Sequence, residues 1–206
     1  MNPRLTGVVQ AGGQSRRMGQ DKAKMDFLGE PLILRPIRQL SALTSKIFVV
    51  TNSQAEYEFL GLELASDAVQ GMGALGGLYT ALLASKTPLV ANVGCDMPFV
   101  SLSLLQEELR ILMEDPSLAF VIPRSEYGFE PMHAVYRRSK SLPAVKAALD
   151  RGERRMISWH GDVDFPFYLE IDQVRRFDPD GLAFMNLNTP EEFTQAEQLA
   201  AGLSGK

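Results

Sequence analysis

Between Gln10 and Lys24 the sequence QAGGQSRRMGQDKAK carries Arg16, Arg17, Lys22 and Lys24 against a single acid, Asp21. Gly12, Gly13 and Gly19 are interleaved with these cations. The whole chain is acidic, with 21 Lys+Arg against 25 Asp+Glu and a net charge of −4. A cationic stretch in an acidic chain suggests a place built for an anion. Gly12 and Gly13 lack a Cβ, so the backbone can turn sharply and come close to a ligand. Successive amide N–H groups in such a turn form a concave anion site, and Arg16, Arg17 and Lys22 add full charges. The pattern is not the dinucleotide fingerprint GxGxxG, because Gln14 takes the place of the second glycine. It is not a Walker A loop either, because no glycine directly precedes Lys22 and no Ser or Thr directly follows it. Phosphate is the anion this chemistry suits; the plainer alternative is a tight strand-to-helix connection.

Three further segments carry polar groups of interest. GCDMPF, from Gly94 to Phe99, places Asp96 just past an apolar run. A carboxylate facing a triphosphate suits Mg²⁺, a hard cation that prefers oxygen ligands and keeps several waters. An Asp in this place can also cap the following helix, but Ser101 is the better cap and frees Asp96. SDAVQGMGALGGL, from Ser66 to Leu78, combines Asp67 with four glycines. TNSQ presents Asn52, either a ligand contact or a turn residue.

The elements that must position these residues follow from pattern. LTGVVQ, KIFVVTN, LGLELAS and TPLVANVG predict strands. PLILRPIRQLSAL and LGGLYTALLASK predict helices between them, the first opening at Pro31 and perturbed early by Pro36. SLSLLQEELRILM predicts a helix capped by Ser101. LAFVIP, PMHAVY and FPFYLEI predict strands, and SLPAVKAALDRG a helix ended by Gly152. LNTPEEFTQAEQLAAGL predicts a closing helix with Thr189 as N-cap, Pro190 first and Glu192 completing a capping box. Strand–helix alternation over the first half predicts an α/β fold, a mostly parallel sheet with helices on both faces in three layers. In such sheets ligands bind beyond the carboxyl ends of the strands. The segments after strands are those singled out above.

At 206 residues, 45% apolar and 22% charged, the chain fits one folded domain spanning 1–206. No apolar run approaches the roughly 20 residues of a membrane helix, and no signal core is expected in MNPRLTG. A single cysteine, Cys95, makes no internal disulfide and points to a reducing cytoplasm. Net negative charge argues against nucleic-acid binding, and no nucleic-acid or membrane partner is expected.

The stretch QAGGQSRRMGQDKAKM resembles the signature LAGGxSxRMGxDK of the molybdopterin nucleotidyltransferases, with Gln10 in place of the usual Leu. The resemblance runs from about Thr6 to Glu192. It implies a Rossmann-like nucleotidyltransferase sheet of the glycosyltransferase-A type, with a nucleotide-binding half over 1–100 and a molybdopterin-binding half over 101–206. It implies that Gln10, Ala11, Gly12 and Gly13 wrap the nucleotide phosphates, that Lys22 binds phosphate oxygens, and that Lys22, Arg17 and Asp96 are catalytic. CDMPF is similar to the family's aspartate motif, which makes Asp96 the ligand of Mg²⁺, with Mn²⁺ as an alternative. The resemblance also sets Asp67 against the base and Asn52 against the nucleotide. FMNLNTPEE resembles the family's NxNTPE; Asn188 there either meets the metal or merely starts a helix. EPMHAVY resembles a P-x-H-A-x-Y segment near the acceptor, so His133 is either an acceptor contact or a structural histidine. GERRM resembles a G-x-R element and makes Arg155 an acceptor contact or a solvated cation.

The implied reaction transfers GMP from GTP to molybdenum-molybdopterin and releases pyrophosphate. AGG together with Asp21 favours GTP over CTP, since cytidylyl-transferring relatives tend to read LAAG and lack that Asp. A sugar-phosphate nucleotidyltransferase and a non-catalytic nucleotide- or molybdopterin-binding adaptor are the other readings. The expected partners are small-molecule substrates, molybdenum-insertion proteins and molybdoenzyme chaperones, with the chain itself a monomer.

Overall fold

The hexapeptide Leu5–Gln10 becomes a central strand, β1, buried along its whole length. Side chains alternate across a strand, so Leu5 and Val9 enter one apolar layer and Val8 the other. A computed structural model describes residues 1–12 and 21–204, so Gly13, Arg16, Arg17 and Gly19 lie outside the described residues. The loop re-enters as the short hairpin of β2 (Asp26–Phe27) and β3 (Glu30–Pro31). Pro31 therefore belongs to a strand and not to the expected helix. Helix α1 (Leu34–Leu43) begins three residues later, which puts Pro36 in its first turn, where the missing N–H has no intrahelical partner to lose.

Strands β4 (Ile47–Val50) and β5 (Glu63–Ala65) extend the sheet to one side of β1. Helix α2 (Gly73–Ala84) returns the chain, and β6 (Leu89–Gly94) pairs with β1 on the other side. After α3 (Leu102–Glu114) come β7 (Phe120–Ser125), the two-residue β8 (Gly128–Phe129) and β9 (His133–Arg137). Helix α4 (Arg138–Asp150), β10 (Pro166–Leu169), α5 (Ile171–Val174) and α6 (Pro190–Ser204) complete the chain. The main path of the sheet reads β10-β7-β9-β6-β1-β4-β5, with β8 attached to β7. Along that path only β9 runs against its neighbours. The mostly parallel three-layer expectation holds: α1 and α3 pack on one face, α2 and α4 on the other.

Sequence capping signals are realised. Ser101 Oγ accepts from Leu104 N at 3.2 Å. Thr189 and Glu192 form the reciprocal pair expected at the start of α6. A third apolar cluster, not expected, packs α6 through Phe193, Ala196 and Ala200 against Phe27 and Leu32 of the hairpin region. The C-terminal helix thus holds the segment that follows the cationic loop. Among the described residues no helix is long and apolar enough to cross a membrane.

Candidate functional site

The chain leaves β1 toward β4 on one side and comes back to β6 on the other. The crevice between the carboxyl ends of β1 and β6 is therefore the topological switch point of the sheet, where α/β folds bind ligands. Cys95 N donates to Gln10 O at 3.1 Å and closes its floor. A Cβ on Gly94 would lie 2.9 Å from Asp96 Oδ1, so glycine there lets the carboxylate fold back over the strand end. Asp96 O accepts from Leu187 N at 3.0 Å, which ties the segment before α6 to the same rim.

That tie brings Asn188 to Lys22. Lys22 Nζ donates to Asn188 Oδ1 at 2.7 Å. The lysine opens a short 3-10 turn, Lys22–Lys24, capped by Asp21. Burial raises the Asp96 carboxyl above its ordinary value; a backbone amide and the Lys22 charge act in the opposite direction. Lys22, Asp96 and Asn188, expected from three separate motifs, thus share one end of the crevice. Lys22 keeps its charge for a ligand because its partner is a neutral amide. Lys24, by contrast, is paired with Glu56.

A second pair sits past the ends of β4 and β5. Asn52 Nδ2 donates to Asp67 Oδ2 at 2.8 Å, and Asp67 N donates to Asn52 Oδ1 at 2.9 Å. The loop beyond turns through Gly71 and Gly73, both with positive φ, which suits glycine. Asp67 and Asn52 are therefore one unit, each orienting the other.

Other expected residues stand elsewhere. Gln10 turns its side chain away from the crevice: it is 6% exposed, bonds the Asn92 amide at 2.8 Å and occupies the space that a Cβ on Gly77 would need. Only its carbonyl faces the rim. His133 is a correction. It is fully buried, with Nδ1 3.0 Å from Glu108 Oε1 and Nε2 accepting from Ser101 N at 3.2 Å. Both ring nitrogens are taken, so the histidine is structural and presents nothing to an acceptor. Arg155 is exposed in the segment after α4. Arg17 and Gly13 lie outside the described residues.

The Glu108–His133 pair has a measurable consequence. Burial pushes the Glu108 carboxyl up to about 7, against the pull of His133. From about pH 4.5 to about 7 the unfolded chain loses this proton while the native state keeps it. Native protein then binds more protons, and stability falls as pH rises through that window. Glu108→Gln keeps the bond to His133 and removes the ionisation. Urea unfolding at pH 5 and pH 8 is expected to show a smaller loss of stability in the variant than in the unsubstituted chain; equal losses would contradict the assignment.

A family model described as MobA-like NTP transferase domain matches residues 7–163. The chain belongs to this family. Molybdenum cofactor guanylyltransferase of Shewanella frigidimarina is 32% identical over 207 residues, covering 99% of this chain and 100% of that one. Its counterpart in Syntrophotalea carbinolica is 31% identical over 196 residues, covering 95% and 92%. The crystal structure of molybdopterin-guanine dinucleotide biosynthesis protein A from Archaeoglobus fulgidus superposes with a TM-score of 0.79 at 25% identity, covering 96% of this chain and 99% of that one.

In this MobA-like domain one residue beside the crevice carried no motif. Tyr57 Oη donates to Asp21 Oδ2 at 2.6 Å, although 36 positions separate the two. Its only sequence signal was its place in TNSQAEYEF, a few residues past a strand end.

Proposed function

We propose that the protein transfers GMP from GTP to molybdenum-molybdopterin, forming the guanine dinucleotide form of the cofactor and pyrophosphate. The observation that carries this reading is the meeting of Lys22, Asp96 and Asn188 at the switch-point crevice. Membership of the MobA-like NTP transferases and the names of the relatives support it. Gly12 adds to it: among the described residues, a Cβ there would meet no atom within 4 Å. Packing against the described residues does not demand glycine at that point, whereas close approach of a phosphate would.

The terminal phosphate oxygen of molybdopterin bonds to the α-phosphorus of GTP, and the bond from that phosphorus to the bridging oxygen of pyrophosphate breaks. The attacking oxygen is already anionic near neutral pH, so no general base is required. What the protein must supply is fixed positive charge in a preorganised site. Lys22 provides it on one wall, with the Gly12 backbone amide and Arg17 assigned to the same task; the Ala11 amide already donates to Val50 O at 2.8 Å. Asp67 and Asn52 would meet the nucleotide further along the rim. The acceptor would lie toward the 101–206 half, with Arg155 at its edge.

The oxygen donors fit a magnesium ion, with manganese as an alternative. Among the described residues no group of three His, Cys, Asp or Glu could cage a metal. A magnesium ion held by one carboxylate, by phosphates and by water needs no such cage. Asp96 would hold it, and it would supply charge neutralisation on the triphosphate. Asn188 Oδ1 already accepts from Lys22, and its second lone pair could also face the metal.

Pyrophosphate release, followed with metal-loaded molybdopterin and either GTP or CTP, tests the reading. Release with GTP and little with CTP is expected. A clear CTP preference would reassign the nucleotide, and binding of GTP without release would make the protein an adaptor. Molybdenum-insertion proteins and molybdoenzyme chaperones are the protein partners this reaction would bring.

A further inference from the structure

We propose that Tyr57 is a positioning residue for Lys22. Tyr57 is 1% exposed, and its ring stacks on Phe59 with centroids 6.5 Å apart. Its hydroxyl reaches Asp21 Oδ2 at 2.6 Å, while Asp21 Oδ1 accepts from Ala23 N at 3.1 Å. Both oxygens of Asp21 are thereby engaged, one from across the fold and one within the 3-10 turn. On the other side of Lys22, Lys24 is paired with Glu56, the neighbour of Tyr57. The residues immediately before Lys22 and two after it are thus fastened to consecutive residues of the segment that follows β4. The far end of the lysine is fastened separately, by Asn188.

The tyrosine is the half of this clamp that matters more. The Lys24–Glu56 pair is substantially exposed on both sides, and such pairs contribute little. The Tyr57 hydroxyl is buried, so leaving it or Asp21 without a partner incurs the desolvation cost of a buried polar group. Burial also raises the Tyr57 hydroxyl well above its ordinary range, so it remains a donor wherever the protein is folded. Positioning matters because a displacement of about 1 Å in a group that stabilises charge can lower a rate by about 100-fold.

The inference rests on the role proposed for Lys22, and its test separates the two. Tyr57→Phe removes one hydrogen bond and keeps the ring. In the full chain, kcat for pyrophosphate release with GTP should fall about 10-fold to 100-fold, with KM for molybdopterin little changed. In a Lys22→Ala background the same substitution should lower kcat no further. A residue with only a structural role would lower both backgrounds by the same factor, and that result, or unaltered kcat in Tyr57→Phe, overturns the proposal. Should Tyr57→Phe fail to fold, Asp21→Ala removes the acceptor at the other end of the same bond. A second readout does not depend on turnover. Acetylation of Lys22, followed by mass spectrometry, should become several-fold faster in Tyr57→Phe while Lys46 is unchanged; an unchanged Lys22 rate overturns the proposal. If the unsubstituted chain releases no pyrophosphate, the functional reading fails alone, and the acetylation rates decide the role of Tyr57.

Discussion

Lys22→Ala should lower kcat/KM for GTP by about 10²–10³-fold or more while leaving the cooperative unfolding transition in place. The magnitude is that of losing one preorganised charge-stabilising donor, about 2.7–4 kcal/mol in the transition state. The structure explains why the loss should not be shared with folding. The ammonium group makes its hydrogen bond to the neutral amide of Asn188, and the turn that carries Lys22 is held by Asp21, Tyr57 and Ala23 rather than by Lys22 itself. Removing the side chain therefore deletes charge from the crevice and leaves the backbone fixed. Steady-state kinetics beside thermal unfolding checks both halves. Near-normal turnover in the variant would remove Lys22 from the mechanism.

Asp96→Asn should be equally severe, and it should differ in its metal dependence. Burial opposes ionisation of this carboxylate, so the fold gains nothing from the charge. Asparagine matches the shape and can still sit over Gly94, and its backbone carbonyl still receives Leu187 N. Stability near neutral pH should be unchanged or slightly higher, as expected where a functional group is held in an environment that disfavours it. Activity should fall by at least about 10²-fold. GTP binding, measured with and without Mg²⁺, should respond to the metal in the unsubstituted chain and respond weakly in Asp96→Asn. A variant that retains both turnover and metal response would place the cation elsewhere.

These two effects arise from residues whose individual promise was visible in the sequence but whose meeting was not. The glycine-and-cation stretch, the acid after the apolar run PLVANVG, and the capped start of the last helix were each legible because their signals are local. Backbone freedom, a strand end and a capping box all lie within a few residues. The alternation of strands with helices likewise determined the layers, because burying apolar faces at periods of 2 and 3.6 leaves few ways to stack them. Helix and strand ends were less legible. Pro31 read as a helix start but was taken by a two-stranded hairpin, whose apolar partner, α6, lies at the other end of the chain.

Residue types and spacing by themselves determined that this chain is an α/β protein with a glycine- and cation-rich stretch after its first strand and a carboxylate just past another strand. Tertiary structure alone decided which polar residues work together. Lys22 and Asn188 are 166 positions apart and Tyr57 and Asp21 are 36 apart, and both pairs exist because helices and strand ends converge on one rim. It also decided against His133, whose two nitrogens are consumed by Glu108 and Ser101 beneath the surface. The physical reason is the same in each case. A side chain's chemistry is intrinsic, but its availability depends on what surrounds it in space, and that depends on packing between elements far apart along the chain.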